Sequence, residues 1–376
     1  MTTAPLNTTC YENSIPSFVP GKLEQLYGSM YASFAHFSVY GGLGHASTYV
    51  SGRETDIQDI FLYRRDNRCV RVINEQMQLS DASLNSFART MFERYPETDR
   101  VCFHAVDATK SKLAFPSQRY ICTNDITMPL PATVDEYYAS LGKSTRKTLN
   151  QNGNRLQRRY DSFRFAVLES HEVSESQLRD IIALNHARMA GKSRISAIDE
   201  DEAAHIIAFT RQCGLVGIIS IDGEIRAGAI CYRIGDHYHL RVIGHDPDYN
   251  AYGLGMLCCY RTICESITRG GTMFHFMWGQ EEYKYRLLGV QREMSHIVIY
   301  RSHLAMAMNA GAVLMTLLQG WKQQSHMWLL ERLRHKDHWS VRLMHQCIGL
   351  LRACKRTGAA LFRGKKPVTL QLMEKK

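Results

Sequence analysis

The spacing of apolar positions divides this chain into alternating α and β segments. A β-rich run at residues 68–73 precedes a helix in which Leu84, Phe87, Ala88, Met91 and Phe92 share one face. Ser80 or Asp81 caps that helix, and Pro96 stops it. Further β-rich runs at 100–106 and 119–128 follow, and Pro129 and Pro131 then break the pattern and mark a boundary. Beyond it a short helix covers 135–141, and Ser144 caps a second over 145–160. Ser174 and Gln177 form a capping box for a helix bearing Leu178, Ile181, Ile182 and Met189, which Gly191 ends. A helix at 201–213 stops at Gly214. Strand-like runs at 215–221, 225–234 and 237–243 are joined by Asp222-Gly223 and Gly235-Asp236, both strong hairpin signals. Residues 1–50 show no clear period, and the glycines at 41, 42 and 44 read as a loop.

The meander feeds a loop at 246–255, an apolar helix, a strand at 273–278 and the segment 279–285. Strand, glycine-bearing turn and helix in that order aim several backbone N–H groups at one anion. Glycine permits close approach, and the helix start adds its dipole.

Composition adds limits. An apolar fraction of 45% and a charged fraction of 22% over 376 residues suit a soluble globular protein of two domains. The eleven cysteines include no Cys-x-x-Cys pair and no zinc-type cluster, so they read as small buried hydrophobes and no metal is expected. The N-terminus lacks a signal-peptide pattern, and the apolar run at 304–318 is too short to span a bilayer, so a cytoplasmic location is expected. The net charge of +10 is local: residues 301–376 hold 14 Lys/Arg and 3 Asp/Glu, whereas 1–300 hold 32 and 33.

Residues 144–300 thus run α, α, α, β, β, β, glycine loop, α, β, α, β. With Asn250-Ala-Tyr252-Gly253-Leu254-Gly255, this order resembles the GNAT acyltransferase superfamily. More closely, the chain resembles the CelD/BcsL-type acetyltransferases of bacterial cellulose and exopolysaccharide synthesis. That likeness rests on the basic segment 141–149, on Gly279, Glu282, Tyr283 and Lys284, on Leu287 to Gly289, and on 74–79 and 130–137. It also implies the tandem architecture of Fem-type aminoacyltransferases. The expected fold class is therefore α/β (α+β) with two GNAT-like halves and mixed, mostly antiparallel sheets. Residues 1–140 would be a degenerate half, 141–300 the acyl-CoA-binding half, and 301–376 a basic helical tail.

The resemblance implies acetyl-CoA or another acyl-CoA as cosubstrate. Asn250, Tyr252, Gly253, Leu254 and Gly255 would hold its pyrophosphate, with Asn250 in the position usually held by Arg or Gln. The thioester would lie between strands 237–244 and 273–278, with proton handling by Glu282 as general base, Tyr283 as donor to the thiolate, and Lys284 and His245. Lone Glu, Lys and His residues are also ordinary surface or packing groups. Arg146, Lys147 and Arg155 on one basic helix face, with Trp278, are the candidate contacts to a small-molecule or saccharide acceptor. Residues 301–376 suit a peripheral contact with the inner membrane or a membrane-bound polysaccharide synthase, or a helical appendage packed on the body. No nucleic-acid motif accompanies the charge. Alternatives within the same fold are a Fem-like aminoacyltransferase and an inactive assembly factor for a polysaccharide synthase.

Overall fold

The computed structural model describes residues 7–334 apart from 54–55, 110–111, 193 and 195. Two compact units divide between Thr316 and Leu317. The first part of the chain runs β1 (Thr8–Tyr11), α1 (Val19–Tyr27), α2 (Phe34–Tyr40), β2 (Ser47–Arg53), β3 (Asp56–Asp66), β4 (Cys69–Val72), β5 (Gln78–Leu79), α3 (Asp81–Arg94), β6 (Arg100–Ala108) and β7 (Ser117–Pro129). It continues α4 (Val134–Ser140), α5 (Lys143–Arg159), β8 (Arg164–Glu169), α6 (Glu175–Ala190), α7 (Glu200–Cys213), β9 (Gly214–Ile221), β10 (Glu224–Ile234) and β11 (His237–His245). Last come α8 (Leu254–Thr268), β12 (Met273–His275), α9 (Glu282–Arg286), β13 (Val290–Tyr300), α10 (His303–Met308) and α11 (Ala310–Arg334).

One mixed sheet carries these strands in the order β1-β2-β3-β4-β6-β13-β7-β12-β11-β10-β9-β8, with β5 paired to β6 off that path. The meander β9–β10–β11 is antiparallel as its turns imply, and β11 pairs β12 in parallel. β12 then pairs antiparallel with β7, and β13 lies antiparallel between β6 and β7. The sheet is therefore continuous from the early strands to the late ones.

Helices cover both faces, which is why several strands are apolar throughout rather than alternating. In β3, Phe61 and Tyr63 meet Phe87 and Met91 of α3, while Ile60 and Leu62 meet Val19, Leu23 and Phe37 from α1 and α2. In the later strands, Leu215, Ile219 and Leu240 pack with α8, and Val216, Ile218, Ile230 and Val242 pack with α6 and α7. Each fully buried side chain of this kind contributes about 1.5–3 kcal/mol. Glycines set the helix-to-sheet distance. A Cβ on Gly217 would lie 2.0 Å from Thr262 Oγ1 of α8, and one on Gly228 2.3 Å from Ile181 Cγ1 of α6.

The structure corrects several expectations. The basic helix starts at Lys143 with Gly142 as its N-cap, so Ser144 lies inside the first turn. The strand expected at 273–278 is paired only over Met273–His275. The apolar run 304–318 breaks at Asn309 into α10 and the start of α11. β8 precedes α6 where no strand was expected. No helix among the described residues is long and apolar enough to cross a membrane. Of the expected tail, 335–376 and the side chains of Leu329 and Leu333 lie outside the described residues.

Candidate active site

β11 and β12 pair at His237, Tyr238 and His239 opposite Met273, Phe274 and His275, and there the ladder ends. The Phe276 N–H donates to Ile126 O of β7 at 2.7 Å, so the chain leans away from β11 and a wedge opens. A cavity of about 110 Å³ fills the wedge. Leu240, Arg241 and Ile243 line it from β11, Phe276, Met277 and Trp278 from the opposite wall. Met277 adopts φ +60°, a left-handed conformation that costs a non-glycine residue on the order of 1 kcal/mol. Gly279 follows at φ +91°, where glycine carries no such penalty.

This reversal turns two carbonyls toward one lysine. Lys284 Nζ donates to Trp278 O at 2.6 Å and to Met277 O at 3.4 Å, and it pairs with Glu281 Oε2 at 3.3 Å. Glu281 is the N-cap of α9, so the two side chains stand three residues apart on one face. Lys284 is only 4% exposed. Burial pulls its pKa below the ordinary lysine value, and the Glu281 charge opposes that shift. Burial pushes the Glu281 carboxyl up, but the Lys284 charge and hydrogen bond, a backbone hydrogen bond and the Arg188 charge together outweigh it, and the net shift is downward. Tyr283, also in the cavity wall, is raised well above the ordinary tyrosine value by burial, so it rests as the protonated phenol.

At the far end of β11 the chain forms a short 3-10 turn, Pro247–Tyr252, and then α8. Gly253 caps α8 at φ +58° and brings no side-chain cap. The first N–H groups of any helix lack intrahelical acceptors, so this start can receive an anion. A Cβ on Gly255 would lie 2.8 Å from His245 Nδ1, so only glycine fits between the helix start and the strand end. His245 Nε2 donates to Asn250 Oδ1 at 2.9 Å, and its buried Nδ1 has no hydrogen-bond partner. Burial lowers the His245 pKa, and the bond to Asn250 partly offsets this.

The site residues expected from sequence therefore fall into groups. Lys284, Tyr283 and Trp278 meet in the cavity, whereas Glu282 is exposed on α9 outside its lining. His245 belongs to the glycine turn with Asn250, Tyr252, Gly253, Leu254 and Gly255. Arg155 joins them: its guanidinium stands 4.9 Å from the Tyr252 ring centroid, and its Nη1 donates to Ala251 O. Arg146 lies over the Tyr138 ring and Lys147 is exposed, and neither lines the cavity. Sequence reasoning missed Glu281, Arg241 and, on α6, Asn185 and Arg188. Glu281 was accessible from its i,i+3 spacing to Lys284. The α6 residues are brought in by tertiary packing and carry no local signal. Among the described residues, no group of three His, Cys, Asp or Glu side chains could hold a metal.

A wedge between parallel strands, with a glycine-led helix start following the first of them, is the geometry expected of the resemblance. Residues 143–285 match the acetyltransferase (GNAT) domain family. Three solved structures are similar to this chain in fold to different degrees. FemX is 9% identical with a TM-score of 0.55, covering 77% of this chain and 96% of FemX. L-PGS from Bacillus licheniformis is 14% identical with a TM-score of 0.45, over 82% and 98% of the two chains. A tandem GNAT protein from the clavulanic acid biosynthesis pathway is 8% identical with a TM-score of 0.38, over 77% and 98%. At these identities the likeness is one of fold, and FemX alone of the three exceeds a TM-score of 0.5. No curated protein matches the chain. The mixed α/β, GNAT-like architecture expected from the sequence is the one observed.

Proposed function

We propose that this chain transfers an acyl group, acetyl in the simplest case, from a coenzyme A thioester to an amine or hydroxyl of a small or saccharide acceptor. The observation that carries this reading is the pair of buried Lys284 and half-buried Glu281 in the wedge beyond the last β11–β12 pairing. The GNAT match over 143–285 supports it, because such domains generally use acyl-CoA. The glycine turn fits the pyrophosphate: Gly253 and Gly255 keep side chains away from the α8 start, and Arg155 stands beside it. The cosubstrate supplies an electrophilic carbonyl and a thiolate leaving group.

The residues of the wedge divide the remaining work. Glu281, held ionised by Lys284, takes the proton from the acceptor N–H or O–H as the new bond to the acyl carbon forms. Lys284 offers its ammonium to the oxygen on which charge develops. Tyr283 gives its proton to the sulfur as the C–S bond breaks. The sequence resemblance to CelD/BcsL-type enzymes is what favours an acceptor from cell-surface polysaccharide synthesis in this proposal.

Calorimetric titration with acetyl-CoA tests the reading. Binding by the wild type, abolished in Gly253→Asp, supports it, because the new carboxylate and the strained backbone both oppose an anion there. Absence of binding by the wild type sinks it and leaves aminoacyl transfer or a non-catalytic assembly role.

A further inference from the structure

Three cations and one carboxylate stand in the cavity wall: Arg188, Arg241, Lys284 and Glu281. Two of the cations are neutralised. Lys284 pairs with Glu281 at 3.3 Å, and Arg241 pairs with Glu202 of α7, whose Oε1 also accepts from the Tyr40 hydroxyl at 2.7 Å. Arg188 is left over. Glu281 feels its charge, yet among the described residues no carboxylate lies within ion-pair distance of it. Its Nη2 reaches only a weak acceptor, Met189 Sδ at 3.7 Å, and its buried Nε has no hydrogen-bond partner. The last turn of α6 favours a cation through the helix dipole, which accounts for a basic residue at 188 but not for its empty donor. A dry guanidinium N–H in a cavity wall costs free energy that a bound anion would recover.

Lys192, just past the end of α6, adds to the same field. Its pKa is lowered by burial first and then by the Arg188 charge, so the two cations stand close together. Positive charge therefore gathers on the α6 side of the wedge. The pyrophosphate placed at the α8 start is not the anion it awaits, because α6 and α8 cover opposite faces of the sheet. We propose that the acceptor carries a carboxylate or a phosphate, and that Arg188 receives this anion on the α6 side of the wedge. The proposal rests on the acyl-transfer reading of the same cavity and names the class of its second substrate. Trp278, 50% exposed and also in the cavity wall, offers a flat apolar face to the ring of a sugar acid or sugar phosphate.

Calorimetry on the full chain saturated with coenzyme A, the unacylated form, tests this with three sugars of one ring: glucose, glucuronate and glucose 6-phosphate. At least one acid is expected to bind about tenfold tighter than glucose, the usual effect of a charge-assisted contact, and which acid does so tells carboxylate from phosphate. Arg188→Gln should remove that preference and leave the affinity for glucose unchanged. Acids bound no tighter than glucose, or not at all, overturn the proposal, and so does a preference that survives in Arg188→Gln. Loss of coenzyme A affinity in a variant with the wild-type urea midpoint assigns the anion to the cosubstrate, which overturns it too. A wild type that fails to bind coenzyme A removes the acyl-transfer reading; the same sugars titrated onto the free protein then decide the anion site alone.

Discussion

Glu281 and Glu282 are adjacent and chemically identical, yet the fold gives them different surroundings. Glu281 turns into the cavity and pairs with Lys284, while Glu282 opens α9 toward solvent. Glu281→Gln is expected to lower acyl transfer by about two orders of magnitude, the usual value of a general base. Glu282→Gln should keep near-wild-type turnover. Steady-state thioester consumption by the two variants decides, and equal rates would remove Glu281 from the mechanism. Lys284→Ala should be the most damaging single change, because it also removes the countercharge of the half-buried Glu281 carboxylate. Lys284→Arg should not restore activity, since the planar guanidinium cannot reproduce a single ammonium held by the carbonyls of Met277 and Trp278. The sequence marked Lys284 and Tyr283 because they follow a strand in a recognisable order, and Trp278 as an aromatic at the end of that strand. It could not distinguish Glu281 from Glu282, because the distinction depends on where α9 begins.

Helix α6 shows how an element distant in sequence builds the site. It reaches the sheet through glycines: a Cβ on Gly244 would lie 2.5 Å from Ile181 O and 2.8 Å from Asn185 N. Close approach lets Asn185 Nδ2 donate to Ile243 O at 2.8 Å and brings Arg188 to the cavity. Gly244→Ala is expected to push α6 outward, with a stability loss of about 1–3 kcal/mol typical of overpacking. The urea midpoint should fall and thioester turnover with it; an unchanged midpoint would show that the helix can shift without cost. The capping box at Ser174 and Gln177 made the start of α6 legible, and both hairpin turns of the meander were equally plain. The strands β1, β2 and β3 were not. β3 has an uninterrupted apolar centre, buried on both faces, which lacks the period that separates strand from helix. β8 was missed because half-burial on an edge strand leaves only weak alternation.

Across the whole molecule, half-buried histidines tie stability to pH. Burial, with His275 3.2 Å away, holds His237 at a pKa of about 4, and burial with His104 beside it holds His296 at about 4. The unfolded chain titrates these side chains near 6.5. Between about pH 6.5 and 4 the unfolded state therefore binds protons that the folded state does not, and stability falls as pH falls. Each pKa unit corresponds to about 1.4 kcal/mol, so the urea midpoint should be clearly lower near pH 5 than near pH 7.5. His237→Asn should reduce that difference; a pH-independent midpoint in the wild type would contradict the account. The topology was the least legible property, because strand order in a sheet is a long-range outcome that no local pattern records. β13 shows this most clearly, coming last in the sheet by sequence yet lying between β6 and β7. A growing chain must therefore wait. Until residues 290–300 leave the ribosome, β6 and β7 present open edges to one another's neighbours, and open edges invite wrong partners. Closure of the early sheet by its latest strand means that the sheet is complete only once residues 290–300 are available, and a truncation before Val290 should yield an aggregating chain rather than a smaller folded protein.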